Sequence, residues 1–428
     1  MNPSAPLPAG IQPIEGGADI RPINGGVCAP RGFSAYGLHA GIRRNRSKAD
    51  LALILSSQAA ATGAVYTQNL VKGAPLGVTH SHIAATGGYT RAVLCNSGNA
   101  NTCTTGGVAV AEQTCEALAT QLNIAAAEVA VASTGVIGEP LDPTPILRAL
   151  PELVQGLSSS AEGAHQAAQA ILTTDTHTKE VAIEFMLDDI KVRLGAMAKG
   201  SGMIHPNLAT MLVFITSDIA ITPELIQHAL SADVASTFNM TSVDGDTSTN
   251  DMVLLQANGM AGNAPITSED DPRYALFATA LNSITIALCK QIAGDGEGAT
   301  KLIECTVSGA ASTNDARALS KSVITSSLVK AAMFGADANW GRVLCALGYA
   351  HAHFDPSGVD VDFTSSAGTV SVCRAGQGID FSEDHAKKVL LEKEITINVH
   401  LHDGHAQATA WGCDLTYDYV RINGDYRT

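Results

Sequence analysis

Charge is scarce in this chain, and basic charge scarcer still. Charged residues are 16% of the 428, against roughly 25% in ordinary soluble domains. Only 26 Lys and Arg stand against 41 Asp and Glu, for a formal net charge of −15. Without a basic surplus the chain lacks the electrostatic footprint of a nucleic-acid or anionic-membrane partner. No stretch approaches the ~18 consecutive apolar residues of a membrane span. The Pro- and Gly-rich start has no basic segment leading into an apolar one, so a cytoplasmic protein is expected. The nine cysteines are odd in number and include no Cys-x-x-Cys pair, which favours reduced thiols over a disulfide framework. Neither a Gly-x-Ser-x-Gly elbow nor a Walker A loop occurs, which removes the usual signatures of serine hydrolysis and nucleotide-phosphate binding.

What is present is core-forming material. Hydrophobic residues reach 46%, enough to exclude large-scale disorder, and the length allows two or three folding units. Forty glycines against 19 aromatics point to tight turns and close backbone approaches, a composition common in α/β enzymes. Apolar runs at 51–55, 91–95, 128–132, 191–197 and 211–215 read as strands, and the polar 96–101 segment as a loop after one of them. Helical spacing marks 108–122, 143–171, 223–231 and 271–291. Strands are expected at 395–402 and 406–420, joined as a hairpin by Asp403-Gly404.

Several motifs dissolve on inspection. The Gly-rich 294–299 segment follows a helix and precedes a strand, the reverse of a dinucleotide-binding turn. The acidic 244–251 segment lacks the Gly and Glu of a calcium loop, with Thr249 and Leu255 in their places, so a polar turn held by its own side chains is the better reading. His80/His82, His351/His353 and His400/His402 would each put two imidazoles on one strand face, but no third ligand follows at fixed spacing, and no metal is expected.

The segment 199–212 carries more chemistry. Ala209 precedes Thr210 in a Gly- and Pro-punctuated loop that enters an apolar strand. A threonine hydroxyl there can attack the carbonyl of the small residue before it, and hydrolysis of the ester frees the Thr210 amine. With a pKa of roughly 7.7–8.0 that amine can serve as base for its own hydroxyl. Taken alone, Ala-Thr is an ordinary dipeptide at a strand entry. Thr134 and Gly135 are candidate oxyanion donors, a hydroxyl beside a backbone N–H that glycine leaves open.

Nine segments in chain order, 26–33, 96–101, 134–138, 173–176, 199–212, 242–251, 296–301, 337–342 and 410–428, together resemble the glutamate N-acetyltransferase / ornithine acetyltransferase family of arginine biosynthesis. The resemblance implies a layered α/β sandwich with mixed sheets, self-processed at the Ala209–Thr210 bond into two intertwined chains, 1–209 and 210–428, which assemble further as a dimer of such pairs. It implies Thr210 as nucleophile and Thr134 with Gly135 as the oxyanion pair. Substrate-binding positions fall on Thr176, Lys199, Thr210, Glu297, Asn423 and the terminal Thr428, with Lys199 suited to a carboxylate and Glu297 to an ammonium. The implied substrates are N2-acetyl-L-ornithine and L-glutamate, with no bound cofactor and acetyl-CoA open as a second acetyl donor. Leu208 and Gly424 stand where the family often has Met and Ala. Two rivals remain at this stage: a self-processing aminopeptidase or amidase of related fold, and a binding protein in which Thr210 is only a strand residue.

Overall fold

The computed structural model describes residues 20–205 and 211–425. Two mixed sheets organise them. The larger runs in the order Arg21–Pro22, Lys179–Leu187, Ile190–Lys199, Leu212–Ser217, Met252–Ala257, Leu51–Tyr66, Tyr89–Asn99 and Val129–Val136, and Phe33–Leu38 also pairs with Leu51–Tyr66. The smaller runs Gln377–Gly378, Gly368–Arg374, Asp360–Ser365, Glu394–His400, Leu302–Ala310, Ala406–Cys413 and Thr241–Ser242.

The apolar runs of the sequence become strands buried on both faces. Leu51, Leu53, Leu94 and Val131 pack under the helices Ala74–Ala85, Gly107–Leu122 and Thr144–Gln155. Their alternates Ala52, Ile54, Val93 and Ala132 meet Ala164, Ala167 and Ala168 of the helix Ala161–Ala170. A period of two with both faces apolar is why these segments read as continuous hydrophobic runs. A third apolar cluster is shared by both sheets, and the helix Pro272–Gly294 packs against each of them. That helix is the one segment among the described residues long and apolar enough to cross a membrane by length and composition. Its burial between the sheets accounts for the composition.

Four sequence expectations change. The polar 96–101 segment is not all loop: the strand continues to Asn99, pairing Asn96 with Ser133, Ser97 with Thr134 and Gly98 with Gly135 in parallel. Side-chain bonds such as Ser133 Oγ to Asn96 Oδ1 at 2.6 Å hold polar residues that would otherwise favour a turn. The 395–402 and 406–420 segments do not form a hairpin, since Leu302–Ala310 lies between them, parallel to one and antiparallel to the other. Asp403 and Gly404 donate their N–H groups to the Gly309 carbonyl, both at 2.9 Å, carrying the chain across that middle strand. The last strand ends at Cys413, where the Asp414 carboxylate accepts from Thr300 N at 2.8 Å and Lys301 N at 3.1 Å, and a helix, Tyr417–Asp425, follows. Finally, His80 and His82 sit on a helix, where a spacing of two sends side chains to different faces. His351 and His353 lie outside any regular element, and of the last pair only His400 is in a strand.

Candidate active site

Thr134 and Gly135 lie near the end of Val129–Val136, where the strand leaves its parallel partner. Gly135 has φ 131°, and a Cβ there would sit 2.4 Å from the Gly98 carbonyl carbon. Only glycine fits such a position, so the turn rests directly on the Gly98–Asn99 backbone.

Lys199 ends the strand Ile190–Lys199 and pairs with Leu212 across an antiparallel ladder. Met211, which follows Thr210 in the chain, therefore lies close to Lys199 in space. Ala209 and Thr210 themselves, like Leu208 and Thr428, lie outside the described residues. Met211 lines a pit of about 20 Å³ with Thr134, Lys199, Asn250 and Asp251.

That pit adjoins a cavity of about 360 Å³ whose walls bring together Thr134, Gly135, Lys199, Asp244, Glu297 and Asn423. Five positions named from the sequence therefore converge, from elements more than two hundred residues apart. Lys199 is 8% exposed and its ammonium makes no hydrogen bond to another described residue, so its donors are open to a ligand while its charge acts on Asp175 and Asp251. Glu297 N–H donates to Ser201 O at 3.0 Å, and its carboxylate lies over Gly202, where a Cβ would come within 2.3 Å. Asn423 Nδ2 donates to Glu297 Oε2 at 2.7 Å. Asp244 accepts from Met203 N at 2.6 Å and Ile204 N at 2.9 Å, bracing the backbone at 203–204, while burial pushes its carboxyl above the usual range.

Thr176 does not line the cavity. Its N–H donates to Asp295 Oδ2 at 3.1 Å and its hydroxyl to Asp295 Oδ1, while Thr173 and Thr174 take the wall positions. The sequence reading also missed the cluster beneath: Lys179 Nζ lies 2.7 Å from Asp175 Oδ1 and 2.5 Å from Asp295 Oδ2. Burial alone would raise the Asp175 pKa. The charges of Lys199 and Lys179, with hydrogen bonds from Lys179 and Gly200 N, outweigh it and hold the carboxyl well below the usual range. Asp251 is the opposite case: it is 3% exposed, its Oδ2 has no hydrogen-bond partner among the described residues, and burial raises it well above the ordinary value against the pull of Ser248, Lys199 and Thr67. Both aspartates stood within quoted motifs, but no spacing rule tells which acidic residue of a polar segment turns inward. Among the described residues no group of three or more His, Cys, Asp and Glu could hold a metal ion.

A mixed α/β fold with a cavity that holds a buried lysine, inward carboxylates and a turn open only to glycine suits an enzyme acting on a small, charged molecule. Residues 34–428 match the ArgJ family. Arginine biosynthesis bifunctional protein ArgJ 1 of Clostridium acetobutylicum is 50% identical over 397 residues, covering 92% of this chain and 96% of its own. The crystal structure of arginine biosynthesis bifunctional protein ArgJ from Bacillus halodurans is 46% identical, with TM-score 0.48, over 51% of this chain and 100% of that one. That of ornithine acetyltransferase from Mycobacterium tuberculosis, complexed with ornithine, is 40% identical, with TM-score 0.41, over 44% of this chain and 100% of that one. The chain belongs to the ArgJ family of arginine-biosynthesis enzymes.

Proposed function

We propose that this enzyme moves the acetyl group of N2-acetyl-L-ornithine to L-glutamate through an acetyl ester on Thr210. Thr210 Oγ attacks the acetyl carbonyl while the Thr210 amine takes its proton, and the Thr134 hydroxyl and Gly135 N–H receive the developing oxyanion. Collapse breaks the C–N bond, and the proton passes to the departing amine of ornithine. Glutamate then enters, its amine attacks the ester carbonyl, and Thr210 leaves as the free alcohol. Lys199 faces the α-carboxylate common to both substrates, and Glu297 faces the side-chain ammonium that only ornithine carries.

The observation that carries this reading is the gathering of Thr134, Gly135, Lys199, Glu297 and Asn423 around one cavity, next to the pit lined by Met211. Membership of the ArgJ family weighs against the aminopeptidase and the binding-protein alternatives. The Thr210 amine exists only after cleavage, so the reading includes self-processing: Thr210 Oγ displaces Ala209 from its nitrogen, and water hydrolyses the resulting ester. Thr176 and Thr428 belong to the same proposal as substrate-binding positions. So do a dimer of two-chain pairs, a cytoplasmic location and acetyl-CoA as the second acetyl donor, in keeping with relatives described as bifunctional.

Intact mass and N-terminal sequencing of purified protein test it. The expected result is two chains of 209 and 219 residues, which together make the 428, the second beginning Thr-Met-Leu-Val. Transfer from acetylornithine to glutamate should proceed in that material, and assay with and without acetyl-CoA reads the second donor. A single intact chain in an active preparation would overturn the mechanism.

A further inference from the structure

Asn250 lines the cavity, yet it has nothing left to offer a ligand. Its amide carries two donors and an oxygen with two lone pairs, and all four are used. Nδ2 donates to Ala100 O at 2.5 Å and to Ser133 O at 3.0 Å, while Oδ1 accepts from Thr102 Oγ1 and Thr249 Oγ1, both at 2.6 Å. Carbonyls only accept, so the chemistry fixes which way the amide faces. The side chain is 5% exposed.

We propose that Asn250 is the positioning residue of the oxyanion pair, holding the Ser133–Thr134 peptide so that the Thr134 hydroxyl and the Gly135 N–H face the cavity. The proposal rests on the oxyanion reading of those two residues. The Ser133 carbonyl lies in the peptide plane that ends at Thr134 Cα, so anchoring it fixes the plane from which the Thr134 side chain and Gly135 N depart, and the parallel pairing of Thr134 and Gly135 restrains the rest of the path. The second carbonyl, Ala100 O, belongs to the segment that follows the parallel partner strand, and Ala100 N donates to Val136 O at 2.9 Å. One amide thus ties the two strand ends between which the oxyanion turn is held.

The clamp reaches them from the far side of the Ala209–Thr210 bond. Its loop is docked by its own hydrogen bonds, Thr67 Oγ1 to Ser248 O at 2.8 Å, Asn69 Nδ2 to Thr247 O at 2.9 Å and Gly73 N to Thr249 O at 2.9 Å. Gly73 supplies an independent sign of the fit: a Cβ there would lie 2.5 Å from Asn250 Nδ2. Its φ of −64° and ψ of 140° are open to any residue, so what excludes a side chain at Gly73 is the Asn250 amide and not the backbone.

The test compares Asn250→Ala, Gly73→Ala and Thr134→Ala with the double variant of Asn250→Ala and Thr134→Ala, all assayed as the two-chain protein with rates per mole of cleaved enzyme. Asn250→Ala removes the clamp, and Gly73→Ala pushes it aside without deleting a polar group. Both are expected to lower kcat by about tenfold to a hundredfold, less than the roughly 10²–10³ for outright loss of an oxyanion donor. KM for acetylornithine and for glutamate should stay within about twofold. The double variant should lose little beyond Thr134→Ala alone, because a group that acts through Thr134 has nothing to position once the hydroxyl is gone. Multiplying losses, or a rise in KM at unchanged kcat, would overturn the proposal. Normal kcat in Gly73→Ala and Asn250→Ala beside an impaired Thr134→Ala would overturn it while leaving the oxyanion reading intact. Normal kcat in Thr134→Ala would remove the oxyanion reading itself. Should Asn250→Ala fail to fold, Gly73→Ala decides.

Discussion

Lys179 and Lys199 stand at the same end of one strand pair, Lys179–Leu187 against Ile190–Lys199, and the protein treats their charges in opposite ways. Lys179 is wholly buried between Asp175 and Asp295, with Thr173 N, Thr176 N and Gly200 N supplying further donors to the two carboxylates. Lys199 is nearly as buried but opens on the cavity, its ammonium making no hydrogen bond to another described residue. A buried charge whose hydrogen bonds are all made inside the fold is a structural element, whereas one that meets its carboxylates through space alone keeps its donors for an arriving anion. The contrast separates a charge that holds the site together from one that, in the proposed function, would read the substrate.

The sharpest way to break this comparison is Lys179→Met. It leaves two buried carboxylates without their cation and should reduce stability by about 3–5 kcal/mol, read by denaturant unfolding. The acid side adds a signature. The Asp175 carboxyl is held below its usual range, so its contribution is complete above the unfolded value of about 3.9 and disappears as pH falls from there toward the folded value. Melts at stepped pH should show that acid loss in the parent and a flatter profile in the variant. Unchanged stability would mean that the cluster holds nothing together.

Lys199→Met is the counterpart. It should reduce stability less than Lys179→Met, because Lys199 acts on Asp175 by charge without a hydrogen bond, and cut kcat/KM for both acetylornithine and glutamate by the roughly 1.5–3 kcal/mol of a charged hydrogen bond. A loss of stability equal to that of Lys179→Met would erase the distinction. The smallest effect belongs to Glu297→Gln, which keeps an oxygen for Asn423 and removes only the charge. KM for acetylornithine should rise by about 1.5 kcal/mol and KM for glutamate much less. Equal changes would show that Glu297 braces Gly202 and does not read the ammonium.

The sequence revealed the site unevenly, for reasons that lie in the residues. Thr134, Gly135, Lys199, Glu297 and Asn423 sit in segments whose patterns resemble a known family, so motif reading could name positions that turn out to line one cavity. Thr176 was carried over in the same way, yet here both its donors go to Asp295. That pairing joins residues 119 apart in the chain, a distance at which neither periodicity nor spacing speaks. Asn250 escaped for the same reason, since its partners Ala100 and Ser133 come from elsewhere in the sequence. The fold class was legible because strands buried on two faces leave unbroken apolar runs. Strand order was not: Asp403-Gly404 carries the mark of a hairpin turn, and nothing local says that Leu302–Ala310 will lie between its flanking strands.

The order of strands in the larger sheet bears on what a cut at Ala209–Thr210 does to the molecule. Leu212–Ser217 and Met252–Ala257 come after the cut, and on either side of them lie Ile190–Lys199 and Leu51–Tyr66, which come before it. Each fragment therefore completes the other's ladder, with two strands of one wedged into a gap in the other. Separating the fragments means opening both seams at once and exposing apolar surface on each. Once the fragments have come apart, re-formation becomes an encounter between two molecules, so the cut protein's resistance to unfolding depends on its own concentration, as the uncut chain's does not. Processing would thus turn a folding equilibrium into an assembly equilibrium while leaving the folded architecture in place.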